Sequence, residues 1–206
     1  MKITDISARR KGITLVVADG EEYLLNTDTV VAARIKKGDE ISERELEELK
    51  ERSDYERARS RALWYLSRAD HSKKALYDKL CRAFSPTAAQ NAVERMEELG
   101  LINDSELAKR LAKHWSESNV SAREIKRKLF VKGISRDIAE QAVDCLESDP
   151  KAQIAALLST KYKNRLTSED EIKKVFAALQ RKGFSYSDIR SALREYSENI
   201  DYSEEY

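Results

Sequence analysis

The sequence predicts a mainly α-helical chain: three tandem three-helix repeats forming an elongated, curved solenoid, with a small N-terminal β-hairpin module in front. Three observations carry this. Charged residues make up 36% of the 206, while Gly and Pro number only six and two. That balance favours long solvated helices over a β-rich fold. One pattern of caps, core positions and stops recurs three times with a period near 50 residues, the mark of an internal repeat. The first 26 residues alone break with it, reading as short β-branched runs.

Taken in order, Ile3–Ser7, Ile13–Val17 and Tyr23–Leu25 are strand candidates, and Asp19-Gly20 between two of them is a hairpin turn. A lone hairpin is marginal in water, so it needs a helix to pack on. Asp28–Arg34 is the candidate cover, and Lys37-Gly38-Asp39 is a turn. The module spans 1–41. Ser42 with Glu45 forms a capping box opening a charged linking helix, 42–57, in which Leu46 and Leu49 are the only aliphatics. A bend is expected near Ser53-Asp54.

Repeat one spans 58–100, with helices near Tyr55–Arg68, Lys73–Ala83 and Pro86–Leu99. Repeat two spans 101–149, with helices near Asp104–Glu117, Ala122–Lys132 and Arg136–Glu147. Repeat three spans 150–194, with helices near Lys151–Lys163, Glu169–Lys182 and Tyr186–Tyr196. In the middle repeat, Ser121 is an N-cap with Glu124 completing a capping box, Ile125 and Leu129 share a stripe, and Gly133 is the left-handed stop. Ser135 caps the next helix, whose apolar face is Ile138, Ala142 and Val143. Upstream the matching residues are Ser72, Leu76, Leu80, Phe84, Ser85, Ala92 and Val93. Downstream they are Val175, Leu179, Gly183, Phe184, Ser185, Ala192 and Leu193. The tail, 195–206, holds five acids and no base and is expected to fray.

Net charge is +1, so no overall basicity advertises nucleic acid; the distribution says more. Residues 58–146 carry 17 Lys/Arg against 12 Asp/Glu, whereas 1–57 carry 11 against 14 and 147–206 carry 10 against 11. No apolar run is long enough to span a bilayer and no signal peptide is read at the N-terminus. Cys81 and Cys145 are isolated, which suits a reducing compartment. The expectation is a soluble cytoplasmic monomer without a membrane partner.

No catalytic set, cofactor motif or metal-ligand spacing is visible. His71 precedes a helix start, where it is expected to help cap it. His114 flanks the stripe of Leu107, Leu111 and Trp115. No phosphate-cradling Gly-rich loop occurs, and the carboxylates sit where helix surfaces put them. An enzyme is not expected.

The basic positions are more informative. Arg123 and Arg127 lie four apart on the helix opposite Ile125 and Leu129, with Lys126 beside them and Phe130 closing the row. Lys109 and Lys113 point away from Leu107 and Leu111, with Arg110 adjacent. Arg and Lys around an exposed aromatic suit phosphate contact with base stacking, or an acidic protein groove. A merely solvated helix face has the same look. The equivalent face holds Lys74, Asp78 and Cys81 in repeat one, and Lys173, Ala177 and Gln180 in repeat three, so the charge concentrates in the middle. Lys73 and Lys174 are lesser candidates. Trp64 and Trp115 fall on or near apolar stripes and are expected in the core.

Along the repeats the chain reads Arg61-Ala62-Leu63-Trp64-Tyr65-Leu66, Ser72-Lys73-Lys74-Ala75-Leu76, Lys79-Leu80, Leu99-Gly100-Leu101-Ile102-Asn103-Asp104, Ile125-Lys126-Arg127-Lys128-Leu129 and Lys132-Gly133-Ile134. In this ordered series it resembles the RecX family of RecA regulators. The resemblance covers about 58–195, and the leader is similar to the N-terminal extension of longer members. One departure is Ala83-Phe84, where the other repeats carry a Gly stop. The resemblance implies binding to the RecA–single-stranded DNA filament, inhibition of RecA's ATPase and strand exchange, and weak DNA binding, to single strands and also to duplex. The residues alone leave open a plain helix-turn-helix nucleic-acid module without RecA, and a passive helical adaptor.

Overall fold

The computed structural model describes residues 1–166 and 168–203. The chain divides into two compact units, Met1–Asn103 and Asp104–Tyr206.

The first unit opens with a three-stranded antiparallel sheet, β1 (Ile3–Arg10), β2 (Ile13–Ala18) and β3 (Glu21–Asn26), in the order β1-β2-β3. The expected hairpin is thus a full meander. β2 is central, and Ile13, Thr14, Leu15, Val16 and Ala18 on it are all buried. Asp19 and Gly20 both have positive φ, 47° and 86°, as a two-residue type I′ turn requires. Helix α1 (Thr27–Ala33) is capped by the Asn26 side chain and presses Val30 onto the sheet.

Helix α2 (Glu43–Leu66) runs unbroken for 24 residues, with no interruption at Ser53-Asp54. Those two residues are anchors instead. The buried Ser53 Oγ accepts from Asn26 N at 2.7 Å, and the Asp54 carboxylate accepts from Ser85 N (2.9 Å) and Oγ (2.7 Å). The small Ser53 lets the end of β3 approach the helix closely. One helix therefore serves two cores. Leu49 packs with Ile3, Val16, Leu25 and Val30, while Ala58 and Ala62 pack with α3 (Lys73–Leu80) and α4 (Pro86–Glu98) through Leu76, Leu80, Ala89, Val93 and Met96.

The second unit holds the other two repeats. Helices α5 (Asp104–Glu117), α6 (Ala122–Val131) and α7 (Arg136–Asp144) enclose Leu107, Ala112, Ile125, Leu129, Ile134, Ala142 and Val143. Helices α8 (Pro150–Thr160), α9 (Glu169–Arg181) and α10 (Tyr186–Ser203) enclose Ile154, Leu158, Val175, Leu179, Phe184, Ile189 and Ala192. A 3-10 turn at Lys163–Arg165 follows α8. Helix α10 continues to Ser203 rather than fraying at Glu195, its partly buried Tyr196 still packed on the core. Of the expected tail, Glu204, Glu205 and Tyr206 lie outside the described residues.

The repeated stops share one geometry. Gly100, Gly133 and Gly183 have φ of 68°, 83° and 90°, and the next residue's N–H reaches back five positions: Leu101 to Met96 O, Ile134 to Leu129 O, Phe184 to Leu179 O. This is the six-to-one bond of a glycine-terminated helix. In the second unit the buried residue after each glycine, Ile134 or Phe184, fills the core beneath. Helix α3, lacking glycine, ends at Cys81 in the right-handed region, with Phe84 N bonded to Leu80 O.

Candidate nucleic-acid interface

The structure distributes the sequence-derived basic residues unevenly. Arg123 is exposed on the first turn of α6. Arg127, one turn on, makes two hydrogen bonds to Glu124, at 2.8 and 2.6 Å. Glu124 therefore does not close a capping box onto Ser121; its carboxylate is taken up by Arg127. The Arg127 guanidinium holds the Glu124 carboxyl below its usual range, with Lys128 and Lys182 adding to the effect. Lys126 turns the other way, half-buried, toward Asp144 of α7 at 3.5 Å. Phe130 is 69% exposed, next to an equally bare Val131.

The remaining candidates separate. Lys109 bonds Glu106 at 3.0 Å, which raises its pKa; Arg110 and Lys113 are exposed on the same helix. Lys73 pairs with Glu97 across α3 and α4, while Lys74 faces solvent. Lys173 lies near Glu169 and Asp170, and Lys174 bonds Glu171 at 2.8 Å. These i,i+3 and i,i+4 pairs are the ordinary chemistry of a solvated helix surface.

What the fold brings together is a cleft between α6 and the end of α9. Its cavity of about 480 Å³ is lined by Arg123, Glu124, Arg127, Gln180, Arg181 and Gly183. Three guanidiniums face one carboxylate, and among the described residues neither Arg123 nor Arg181 has an ion-pair partner. Guanidinium N–H groups without a carboxylate suit phosphate oxygens, which they can hold in bidentate fashion. Sequence reasoning missed Arg181. It adjoins Lys182-Gly183, the repeat-three equivalent of Lys132-Gly133, but no local periodicity says that this stop packs on α6.

The junction is fixed by Ser121. Its Oγ accepts from Glu124 N at 3.3 Å and donates to Lys182 O at 2.5 Å, so one hydroxyl terminates α6 and α9 together. A Cβ on Gly183 would stand 2.6 Å from that Oγ and 3.2 Å from Arg123 Cβ. The glycine thus permits the approach that forms the cleft. A second tie lies in the same unit, where Gln153 Nε2 donates to Ser116 O and Oγ, both at 3.2 Å.

Helix α7, the second of the helix-turn-helix pair, carries Asp137, Glu140 and Asp144 against a single Arg136. Such a helix repels phosphate and is a poor groove reader. Trp115 packs at the edge of the α5–α7 core with Lys128 over its ring. Trp64, expected in the core, is 43% exposed. It stands two residues after the buried Ala62, about 200° round the helix, so it points away from α3 and α4. Ser72, not His71, caps α3; the His71 ring packs edge-on against Tyr65. Among the described residues no group of three or more His, Cys, Asp or Glu could hold a metal ion, and no helix is long and apolar enough to cross a membrane.

Comparison with known proteins agrees with this architecture. Residues 58–96 match the model of the RecX first three-helix domain, and residues 149–193 that of the third. Regulatory protein RecX of Clostridioides difficile (strain 630) is 30% identical over 200 residues, covering 94% of each chain. Its namesake in Streptococcus sanguinis (strain SK36) is 29% identical over 201 residues, 94% of this chain and 76% of that one. A crystal structure of regulatory protein RecX shares the fold at a TM-score of 0.66 and 22% identity, over 94% of this chain and 98% of the other. The structure of RecX from Lactobacillus salivarius gives 0.59 at 27% identity, over 69% and 96%. On the identity and coverage of these relatives, joined to the repeat architecture, the chain belongs to the RecX family.

Proposed function

We propose that this protein binds the RecA–single-stranded DNA filament and lowers RecA's ATPase and strand-exchange activity, without chemistry of its own. Family membership supports the regulatory role, since the relatives are named regulatory proteins. The observation that carries the DNA contact is the cleft of Arg123, Arg127 and Arg181. Arg123 and Arg181 suit the phosphates of a strand held by RecA, with Arg127 held beside them by Glu124, and the exposed Phe130 lies on the same helix as Arg123. Exposed Lys113 and Arg110, on α5, are further candidate contacts, and Lys74, Lys173 and Lys174 are subsidiary ones.

Weak contacts of this kind gain strength when several are made at once along a filament, because the second and later ones are effectively intramolecular. Contact with the strand is thus expected to be weak alone and stronger on the filament. The test is RecA-catalysed ATP hydrolysis on single-stranded DNA, titrated with the protein. Falling hydrolysis supports regulation of RecA. Unchanged hydrolysis together with DNA binding supports a plain nucleic-acid module. Unchanged hydrolysis with no DNA binding leaves a passive adaptor.

A further inference from the structure

We infer that the end of α2 forms a second, separate binding surface, one that takes single-stranded nucleic acid by stacking a base on Trp64. It lies in the first unit, uses none of the residues of the arginine cleft and requires no RecA.

From Arg57 to Ala69 the chain has four arginines and no carboxylate, whereas the preceding stretch of the same helix, from Glu43 to Glu56, is dominated by acids. Within the basic segment, Arg61 and Arg68 both lie over the Trp64 ring, at 5.3 and 4.1 Å from its centroid. Both are exposed, and among the described residues neither has an ion-pair partner. A guanidinium lying on an indole keeps its edge N–H groups free for an anion, and the indole orients it.

The patch continues inward. The Tyr65 ring meets Trp64 edge to face at 5.2 Å, and Lys79 Nζ stands 4.9 Å over Tyr65. Three cations therefore surround two adjoining rings across the end of α2 and the face of α3. The arrangement is held in place. Ser67 Oγ donates to Trp64 O at 2.9 Å, and Arg68 N to Tyr65 O at 3.1 Å, so the turn that carries Arg68 is hydrogen-bonded back onto the helix.

A large aromatic exposed beside Leu63, itself 42% exposed, is a poor way to solubilise a helix end. Lysine alone would suit the helix dipole. An indole with arginines over its ring matches a single strand once a base displaces one guanidinium from the ring, or stacks on the guanidinium plane itself, and the arginine takes the adjoining phosphate. Duplex DNA buries the base faces, so the surface discriminates in favour of single strands.

The test uses the full-length Trp115→Phe protein, in which Trp64 is the sole indole, titrated with oligodeoxythymidylate and, in parallel, with the same length of duplex and with polyglutamate. Stacking predicts saturable quenching of Trp64 emission by the single strand, reversed by salt and weaker with duplex. Trp64→Ala is expected to lower single-strand affinity roughly 5- to 100-fold, Trp64→Phe to restore part of it, and Arg61→Ala with Arg68→Ala to weaken binding and flatten its salt dependence. Circular dichroism confirms that each variant is folded; should Trp64→Ala fail there, the fluorescence titration of the Trp115→Phe protein decides. The inference is overturned if the single strand leaves Trp64 emission unchanged, or if polyglutamate quenches as well as DNA, which would assign the surface to an acidic protein. Because RecA is absent, loss of RecA regulation would not be mistaken for loss of this site. Arg123→Ala with Arg127→Ala, made in the Trp115→Phe background, should leave the quenching amplitude intact.

Discussion

Ser121 and Lys182, 61 positions apart, are joined by a 2.5 Å hydrogen bond from hydroxyl to carbonyl, and that hydroxyl also accepts the N–H of Glu124. The start of α6 and the end of α9 thus share one buried side chain. Ser121→Ala removes a cap worth about 1 kcal/mol. It also strips the Lys182 carbonyl of its hydroxyl partner, a further loss of about 1–3 kcal/mol where no water replaces it. The Ser135 hydroxyl caps α7 alone, bonding only Ile138 N among the described residues, and the residue is exposed. Urea denaturation should show Ser121→Ala clearly more destabilising than Ser135→Ala; equal losses would mean that the bond to Lys182 contributes nothing.

Gly183 and Gly38 provide a matched pair. Both have positive φ, 90° and 100°, so alanine is strained at each. At Gly38 the new methyl meets open space, while at Gly183 it meets Ser121 Oγ at 2.6 Å. That hydroxyl is engaged on two sides and has little room to retreat. Gly183→Ala should therefore lower the thermal midpoint more than Gly38→Ala, and should also weaken DNA binding by widening the cleft. A Gly38→Ala variant as damaged as Gly183→Ala would show that backbone strain alone decides.

Ser42, Ser72, Ser85 and Ser121 as caps, Gly133 and Gly183 as stops, and Leu76, Leu80, Ile125, Leu129, Val175 and Leu179 as core follow from local patterns, because capping and helical periodicity act within one or two turns. Ser53-Asp54 looked like a bend because both residues favour turns in isolation. Tertiary partners, Asn26 and Ser85, use them instead. Trp64 was misplaced because large aromatics are usually buried; its angle relative to Ala62 was the available signal. Arg181 could not be found, since its proximity to Arg123 depends on how two repeats stack. Helical spacing puts Lys126 beside the basic face, yet its pairing with Asp144 draws it toward α7.

The Glu124–Arg127 pair gives a pH prediction. The pairing lowers the folded-state pKa of Glu124 below its unfolded value, ordinarily about 4.3. A depressed carboxyl contributes stability that is present above the unfolded pKa and is lost as pH falls through the folded one. Wild type should thus be more stable than Glu124→Gln at neutral pH, and the gap should close on acidification. Thermal midpoints measured across the acid range check this. A gap that stays constant or widens would show that the pair has no linkage to folding. Glu45 and Glu171, also lowered, are present in both proteins and cancel in the difference.

The arginines between α6 and α9 are proposed to make the functional contact with the filament. The most direct test is inhibition of RecA's DNA-dependent ATP hydrolysis by wild type and by the Arg123→Ala/Arg127→Ala/Arg181→Ala variant, measured over a series of salt concentrations. All three side chains are exposed, so the variant should fold with a thermal midpoint close to wild type. Wild-type inhibition should weaken as salt rises, and the variant should inhibit less at low salt. Its salt slope should be shallower by roughly 0.7 for each single-strand phosphate that the variant no longer neutralises. A charge-reversed Lys36/Lys37 pair, in the N-terminal turn, controls for loss of positive charge as such. A variant that inhibits as strongly as wild type at every salt concentration would place the working contacts elsewhere.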